Sequence, residues 1–413
     1  MTNRNHTHPP LGLYVHIPFC SKICHYCDFA KTANYTAQHV SDYLLACTAQ
    51  LKAWTKTLGP QTKFTSVFFG GGTPGVLTRE YEPLMALIQD YLAPKAEVSL
   101  ESNPGNVTES NVASWKNLGF NRLSVGVQSF DSTGLKILTR DHTADEALRA
   151  LELAAIHMDK SNGDLIYGWP GQTDESWQRD LEIMAAAGQN HLSLYALTYE
   201  GNTPFARAER RGVLQATSGD NLAVRYQMAC DVLRKNGYFH EEISNWAKSG
   251  GECQHNWLYW RGHPFVGIGA GAHGFVDDGT PIGLRYNYTG DLRPFLKLGT
   301  TELEAQAASN LHKTSMSSSP HHVLASTGGK IDGTRDLHAW LYEYVGCTLR
   351  STDGVDLKRI ADQGFRFIPN QKIERALREG LLFISDNKLL ATEIEWFRET
   401  SWSYEICESS NLV

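Results

Sequence analysis

Three cysteines near the start of the chain have the types and spacing of metal ligands. Cys20, Cys24 and Cys27 form a C-x3-C-x2-C pattern in the stretch HIPFCSKICHYCDFA. A structural zinc site normally has four ligands, and neither Cys253 nor His25 completes this set at a usual zinc spacing. A redox C-x2-C pair leaves Cys20 without a role. An iron-sulfur cluster held by three thiolates uses all three cysteines and leaves one iron open; on this pattern alone, zinc remains an alternative.

A glycine-rich stretch, FFGGGTP, provides the second chemical motif. It places Gly70, Gly71 and Gly72 at the end of a predicted strand. Glycine has no side chain, so the backbone can approach a ligand closely and present its amides and carbonyls. A single glycine-rich turn is usually only a tight loop. This glycine-rich turn, however, follows a cysteine motif at the end of the preceding strand. The two motifs together favour an iron-sulfur cluster with a ligand bound beside it.

The elements that position these motifs alternate between strands and helices. Apolar runs in LGLYVHI, TSVFFGGG, EVSLES, NRLSVGVQS, GDLIYGWPG and HLSLYALTY predict six buried strands, and residues 37–54 predict the first helix. Strands separated by helices form parallel sheets. The sequence therefore predicts an α/β fold with a partial (β/α)6 TIM-like barrel, whose functional groups lie at the carboxyl ends of the strands.

The composition changes after about residue 300 and predicts three regions. Residues 1–300 form the barrel with its own extension. Residues 301–335 are rich in Ser, Gly and His and predict a mobile linker or insert. Residues 336–413 contain helix-like segments and a hairpin with Asp386 and Asn387 at its turn, which predict a small winged-helix-like α+β domain.

Charge and hydropathy exclude several classes of partner. The formal net charge is -7, and residues 335–413 carry 10 Lys and Arg against 13 Asp and Glu, so we expect no nucleic-acid partner. No run of 18 apolar residues is present, which predicts no stable membrane insertion. The polar start MTNRNHTHPPLG lacks a targeting pattern, and the eight cysteines are too few for a disulfide scaffold of this length. We therefore expect a cytoplasmic protein.

Taken together, the cysteine and glycine motifs resemble the radical S-adenosylmethionine (SAM) superfamily. The resemblance implies a 4Fe-4S cluster on Cys20, Cys24 and Cys27, with SAM chelating the open iron. It also implies that the glycine-rich strand end holds the methionine amino group and that Tyr26, before the third cysteine, lies at the adenine. A reduced cluster of this family cleaves SAM to a deoxyadenosyl radical.

Further motifs resemble one branch of that superfamily. The stretches YVHIPFCSKICHYCDF, FFGGGTP, ESNPG, RLSVGVQSF, DLIYGWPGQT and CQHNWLYW occur in order over about two thirds of the chain. They are similar to oxygen-independent coproporphyrinogen III dehydrogenase and to its relative, the heme chaperone HemW. The dehydrogenase pattern has a further cysteine where this chain has Phe29, and a longer N-terminal extension. Both differences favour the heme chaperone family.

The resemblance implies two alternative functions. The first is a heme chaperone that binds heme, a 4Fe-4S cluster and SAM and delivers heme to acceptor proteins such as respiratory enzymes. The alternative is the oxidative decarboxylation of coproporphyrinogen III to protoporphyrinogen IX in porphyrin biosynthesis. Whether the chain is an enzyme therefore stays open at this point.

The resemblance also assigns residues to SAM. Glu101 and Asp164 have the chemistry to accept hydrogen bonds from ribose hydroxyls, and Arg140 to pair with a carboxylate. Alternatively, the two acids cap the following helices, and Arg140 pairs with a neighbouring aspartate on the surface. The implied SAM set is Tyr14, Tyr26, Gly70, Gly71, Gly72, Thr73, Glu101, Gln128, Arg140, Asp164 and Ala196.

A heme site is implied by the signature HNWLYW. His255 has the side chain of the commonest axial ligand to heme iron, and Asn256, Tyr259 and Trp260 complete the set. The alternative is a strand with buried aromatic residues and a histidine whose hydrogen bonds are satisfied within the protein. We interpret Cys253 as a buried thiol, and we expect His273 to line the same cavity.

Overall fold

Six parallel strands form the middle of the main sheet and lie side by side in chain order. The structure, a computed structural model, describes residues 10–201, 203–280, 282–297, 319–333 and 335–412. All six strands predicted from the sequence are present, and the predicted α/β class is confirmed. Their bounds are β1 (Gly12–Ile17), β2 (Phe64–Gly71), β3 (Leu92–Ser102), β4 (Arg122–Gln128), β5 (Lys160–Tyr167) and β6 (His191–Ala196).

Helices connect these strands, and short polar side chains fix where several of them begin. The Thr36 side chain accepts a hydrogen bond from the His39 amide at the first helix, and Thr143 and Glu146 form a capping box at the fifth. Trp54 of the first helix is buried against the sheet. The helices of this part are α1 (Ala37–Leu58), α2 (Glu82–Gln89), α3 (Glu109–Leu118), α4 (Ser132–Ile137), α5 (Ala144–His157), α6 (Asp174–Ala186), α7 (Pro204–Arg210) and α8 (Gly219–Lys235).

Further strands widen the sheet on both sides and leave it open. These elements are β7 (Phe239–Glu242), β8 (Asn245–Ala247), α9 (Gln254–Trp260), β9 (Phe265–Ile268), β10 (His273–Val276), β11 (Leu284–Tyr288), α10 (Arg293–Lys297), α11 (Pro320–Thr327) and β12 (Gly329–Ile331). In the described ranges, twelve strands pair in one sheet, with β12 at one edge and β7 at the other. Strand β9 runs parallel to β1. The barrel is therefore partial, as predicted, and its carboxyl-end edge is accessible for a site.

The Ser- and His-rich region contains a helix and a strand in its second half. Ser319 caps α11, whose Val323 and Leu324 are buried, and the helix packs against α1. Strand β12 pairs with β11. The mobile-linker interpretation is therefore wrong for residues 319–333, because apolar side chains and backbone pairing fix them to the main fold. Residues 301–318 of the predicted linker lie outside the described residues.

The C-terminal region has an apolar core of its own, which includes the buried side chains of Leu341, Ile360 and Leu389. Its elements are α12 (Leu337–Leu349), β13 (Val355–Asp356), α13 (Leu357–Asp362), β14 (Phe365–Phe367), α14 (Gln371–Arg378), β15 (Leu382–Ser385), β16 (Lys388–Ala391), the 3-10 helix Glu393–Arg398, α15 (Glu399–Glu408) and β17 (Ser410–Leu412). Helices α12 to α14 and the β15–β16 hairpin give it a winged-helix-like form.

Local backbone geometry explains the hairpin. Asp386 and Asn387 have φ values of 49° and 64°, the left-handed conformation that a two-residue hairpin turn requires and that Asn and Asp tolerate. Within the described part of the chain, every helix is too short or too polar to cross a lipid bilayer.

Candidate functional site

The three motif cysteines lie on a loop at the carboxyl end of β1. The loop returns onto the strand end through the Cys20 amide, which donates to the Thr32 carbonyl at 3.0 Å. Cys20 is buried, and its Sγ accepts a hydrogen bond from Thr73 Oγ1 at 3.6 Å. Cys24 Sγ accepts one from Arg140 Nη1 at 3.4 Å. Backbone and side-chain bonds thus hold the thiols beside the glycine-rich end of β2.

Charge near the thiols is positive. Lys31 Nζ donates to the carbonyl oxygens of Cys27 at 2.6 Å and Phe29 at 3.0 Å. Burial raises the pKa of the Cys27 thiol, and the Lys31 ammonium opposes that rise. Burial also raises the pKa of the Cys20 thiol, and the Thr73 hydrogen bond opposes it. Donors and cations that favour thiolates fit a metal cluster at this loop.

The three thiols of the cysteine loop are not all within 4.8 Å of one another. Zinc holds each thiolate at about 2.3 Å, so three zinc-bound sulfur atoms lie close together. Among the described residues, the one group of three or more ligand atoms within 4.8 Å of one another is Cys230, His240 and Glu393. The Cys20, Cys24 and Cys27 sulfur atoms do not form such a group, and this wider spacing favours a cluster with several irons over one zinc ion.

The glycines at the end of β2 leave space that any side chain would fill. Gly71 has φ +111°, and a Cβ there would lie 2.4 Å from the His16 ring. A Cβ on Gly72 would lie 2.8 Å from the Pro18 carbonyl carbon. The His16 ring itself bridges the strand and the cysteine loop, since Nε2 donates to the Ala30 carbonyl at 2.8 Å and Nδ1 accepts from the Tyr14 hydroxyl at 3.1 Å. Glycine is thus required for the loop to close onto the strand end.

Glu101 and Asp164 face the same space and do not cap helices. Glu101 Oε2 accepts a hydrogen bond from the Gly71 amide at 3.2 Å. Asp164 accepts from Ser124 Oγ at 3.1 Å and from Asn162 Nδ2 at 2.6 Å. Burial, together with the nearby Asp164 charge, raises the pKa of Glu101 to about 8, and burial raises the pKa of Asp164. The helix-cap alternative is therefore wrong for both acids.

Arg140 is part of the site and not of a surface ion pair. Its Nη2 donates to Asn103 Oδ1 at 2.6 Å and to the Gly126 carbonyl at 2.7 Å. Its Nε is buried without a hydrogen-bond partner in the described structure. Gln128, at the end of β4, has φ +69°, an uncommon conformation for a non-glycine residue. A buried donor without a hydrogen-bond partner, such as Arg140 Nε, and an uncommon backbone conformation, such as that of Gln128, are both features of a ligand site.

One cavity of about 720 Å³ joins the two predicted sets of residues. The three cysteines, the SAM set and the heme set all line it, with the exception of Gly70 and Trp260. Gly70 instead lies behind Glu101, since a Cβ there would be 3.2 Å from Glu101 Oε2. Trp260 packs against the Arg350 guanidinium, 4.8 Å from its ring centre. Tertiary folding therefore brings a cysteine loop and the HNWLYW segment to a shared chamber.

The HNWLYW segment is helix α9, so the strand alternative is wrong. His255 is buried, with Nδ1 2.8 Å from Ser66 Oγ and Nε2 2.8 Å from the Tyr259 hydroxyl. Phe68 stacks on its ring at 5.3 Å. Burial lowers the pKa of His255 to about 3, so the imidazole is neutral. As in the alternative interpretation, both ring nitrogens of His255 have hydrogen-bond partners within the protein. His255 nevertheless also lies on the wall of the cavity.

Two neighbouring predictions have opposite outcomes. Cys253 is a buried thiol, as predicted, and its Sγ lies 3.6 Å from Glu97 Oε1. His273 was expected to line the cavity, but its side chain is 67% exposed and lies 3.7 Å from Asp332. The prediction for His273 is wrong, because this residue of strand β10 is not among those that line the cavity.

Sequence reasoning missed a polar network inside the barrel. Asn162 Nδ2 donates to Ser124 Oγ at 2.6 Å and to Ser193 Oγ at 3.0 Å, and its Oδ1 lies 2.7 Å from His191 Nδ1. All four residues line the cavity. The sequence does contain a signal for this network, because polar residues recur at every second position of β4, β5 and β6. Residues with this spacing lie on one face of a strand.

The first half of the chain matches a known protein superfamily. Residues 14–194 match the model of the Radical SAM superfamily. The structure of coproporphyrinogen III oxidase (HemN) from Escherichia coli, a radical SAM enzyme, aligns over 96% of this chain and 90% of its own with a TM-score of 0.72. At 20% identity this likeness shows the fold alone.

Proteins of similar sequence identify the family within this superfamily. The chain is 36% identical to the heme chaperone HemW of Lactococcus lactis over 71% of this chain and 76% of that protein. It is 40% identical to the heme chaperone HemW of Mycobacterium tuberculosis over 65% of this chain and 70% of that protein. The chain belongs to the heme chaperone HemW family of radical SAM proteins. Superfamily membership implies a 4Fe-4S cluster and SAM as cofactors.

Proposed function

We propose that this protein is a heme chaperone that binds heme beside a 4Fe-4S cluster and SAM and delivers heme to acceptor proteins such as respiratory enzymes. The observation that carries the proposal is the 36% identity to a heme chaperone HemW over 76% of that relative. This chain has Phe29, 60% exposed, where the coproporphyrinogen dehydrogenase pattern has a further cysteine. The missing cysteine also favours the chaperone over the dehydrogenase.

The cysteine loop has the residues to hold the cluster. Cys20, Cys24 and Cys27 supply three thiolates, and Lys31 and Thr73 favour their charged forms. Three ligands leave one iron open to another ligand, and such an open position is typical of reactive metal sites. A 4Fe-4S cluster held by these residues would supply one-electron chemistry at this edge of the sheet.

The strand ends have the residues to hold SAM. The glycine backbone at 70–72 lets the methionine part approach, the Glu101 and Asp164 carboxylates accept from hydroxyl groups, and the orphaned Arg140 Nε donates to an anionic group. The full set is Tyr14, Tyr26, Gly70, Gly71, Gly72, Thr73, Glu101, Gln128, Arg140, Asp164 and Ala196. Gly70 acts indirectly, since it only allows Glu101 to lie close to the strand.

Heme binding is proposed on helix α9. His255 presents a neutral imidazole to the cavity, and Asn256 and Tyr259 line the same wall. For iron ligation, one ring nitrogen of His255 must exchange its hydrogen bond for the metal. Trp260 lies outside the cavity and supports the helix through Arg350, so its contribution is to hold α9 in place.

A heme titration tests this assignment. Heme is added to anaerobically purified wild type, His255→Ala and the control His273→Ala, which alters an exposed histidine outside the cavity. We expect His255→Ala to lose the absorption band of the bound heme or to weaken heme affinity by at least about tenfold, the smallest loss typical of removing even an outer-shell partner of a metal ligand, and His273→Ala to behave as wild type. Equal binding by all three proteins contradicts the role of His255.

The alternative function is porphyrin synthesis. Its support is the likeness of the fold to that of coproporphyrinogen III oxidase. Reconstituted protein is given coproporphyrinogen III, SAM and a reductant under anaerobic conditions, and the products are separated chromatographically. We expect no catalytic formation of protoporphyrinogen IX. Turnover beyond one product per chain would replace the chaperone proposal with the enzymatic one.

A further inference from the structure

A second group of metal-binding side chains lies outside the cavity, between the main sheet and the C-terminal region. Cys230 on α8, His240 on β7 and Glu393 at the start of the 3-10 helix Glu393–Arg398 have ligand atoms within 4.8 Å of one another. Cys230 Sγ lies 4.0 Å from His240 Nδ1, and that same nitrogen contacts Glu393 Oε1. Three different donor types therefore converge from three separate elements.

The surroundings of His240 fix the ring so that Nδ1 points to the group. The Trp246 ring stacks on it at 4.1 Å with an interplanar angle of 8°, and Trp396 packs against it at 4.6 Å. Nε2 lies 3.2 Å from the Tyr226 hydroxyl. When Nε2 carries the proton, Nδ1 is free to ligate. Second-shell hydrogen bonds of this kind orient metal-binding histidines.

The charges of the group suit a divalent cation. Glu393 Oε2 binds Arg234 Nη2 at 2.5 Å, so Oε1 remains the oxygen that faces Cys230 and His240. Burial, with the charge of Glu393, raises the pKa of the Cys230 thiol. A cation at the centre reverses that effect, because thiolate and carboxylate then both face positive charge.

We propose that Cys230, His240 and Glu393 bind a zinc ion, separate from the iron-sulfur site. Zinc accepts sulfur, nitrogen and oxygen ligands in one tetrahedral site. Glu393 is 31% exposed, so solvent reaches the group and supplies the fourth ligand. Because Glu393 belongs to the C-terminal region and the other two ligands to α8 and β7, the ion fastens that region to the main sheet.

The simpler interpretation is a hydrogen-bonded group without metal, in which the thiol and the ring donate to Glu393. The two interpretations predict different metal contents. Zinc also binds the thiols of an empty cluster loop, so the test uses full-length protein with its iron-sulfur cluster reconstituted. Zinc is added, unbound metal is removed by gel filtration, and zinc and iron are measured by mass spectrometry.

We expect about one zinc ion per chain in the wild type. Cys230→Ala and Glu393→Gln are expected to lower the zinc content about tenfold, while the iron content stays unchanged. Cys407→Ala is the matched control, since it removes another buried thiol of the chain. With cobalt in place of zinc, the wild type shows a thiolate charge-transfer band that Cys230→Ala lacks.

A second measurement covers the case in which Cys230→Ala does not fold. A chelator is expected to lower the midpoint of thermal unfolding of the zinc-loaded wild type but not of Glu393→Gln, which preserves the size of the side chain. Zinc below about a tenth of an equivalent in the wild type, or equal zinc in the wild type and Glu393→Gln, overturns the proposal.

Discussion

The hydroxyl of Tyr259 lies 2.8 Å from Nε2 of His255, one helical turn away on α9. The other ring nitrogen, Nδ1, lies 2.8 Å from Ser66 Oγ. Both nitrogens of this buried histidine are thus in use within the protein. Any metal that His255 binds must compete with one of these two hydrogen bonds, so the pair sets the strength of ligation at this wall of the cavity.

Removing the Tyr259 hydroxyl tests that competition. Tyr259→Phe keeps the ring but frees Nε2, and a net hydrogen bond is worth about 1 kcal/mol, so we expect heme affinity to rise about fivefold. Spectroscopic titration with heme measures the change. Tyr344→Phe, a tyrosine of the C-terminal core, serves as the control. Weaker heme binding by Tyr259→Phe contradicts ligation through Nε2.

The cluster is expected to depend on each motif thiol and not on thiols elsewhere. Cys24→Ala removes one of three ligands, so after anaerobic reconstitution we expect the brown colour and the iron content, about four atoms per chain, to be lost. Cys347→Ala changes a half-buried cysteine of α12 and should retain both. Retention of the full iron content by Cys24→Ala would falsify the ligand set.

Gly71→Ala should damage the SAM site through geometry alone. Its φ of +111° disfavours any side chain, and the new methyl group would meet the His16 ring at 2.4 Å. We expect a loss of stability of about 1–2 kcal/mol and at least about tenfold weaker SAM binding by calorimetry. Gly105→Ala, where a Cβ meets nothing within 4 Å, is the control. Equal SAM affinity of the two variants contradicts the assignment.

Glu101 predicts a pH dependence of the cofactor-free protein. Burial, with the charge of Asp164, raises its pKa from 4.5 to about 8. Between these values the folded state holds a proton that the unfolded state has released, so the free energy of unfolding falls as pH rises through this window. Glu101→Gln cannot titrate, and we expect its stability to fall less. Urea unfolding at the two ends of the window measures the difference.

The matched control for this pH dependence is Glu152→Gln, which alters an exposed glutamate on α5. It should follow the wild type at every pH. If Glu101→Gln loses stability with rising pH as steeply as the wild type and this control do, then another group causes the change, and the raised pKa of Glu101 does not govern it.

Much of the fold was predictable because its signals are local. Apolar runs between helical segments gave the six parallel strands, and the Asp386–Asn387 pair gave the turn of the C-terminal hairpin. The helix of residues 320–327 was not predicted, and it buries three side chains and packs against α1. The HNWLYW helix was missed in the same way, and its buried His255 contacts Ser66 and Phe68 of the distant strand β2.

The cysteine loop could be recognised as a metal-binding site from the chain alone, since the type and spacing of three thiols and the glycines at the next strand end are local properties. Which residues meet these thiols and glycines depends on how distant elements pack. His255 and Ser66 are 189 positions apart, and the barrel brings them to one wall because β2 and α9 pack together. Cys230, His240 and Glu393 converge in the same way across two regions. Such contacts follow from packing between elements, which spacing along the chain does not encode.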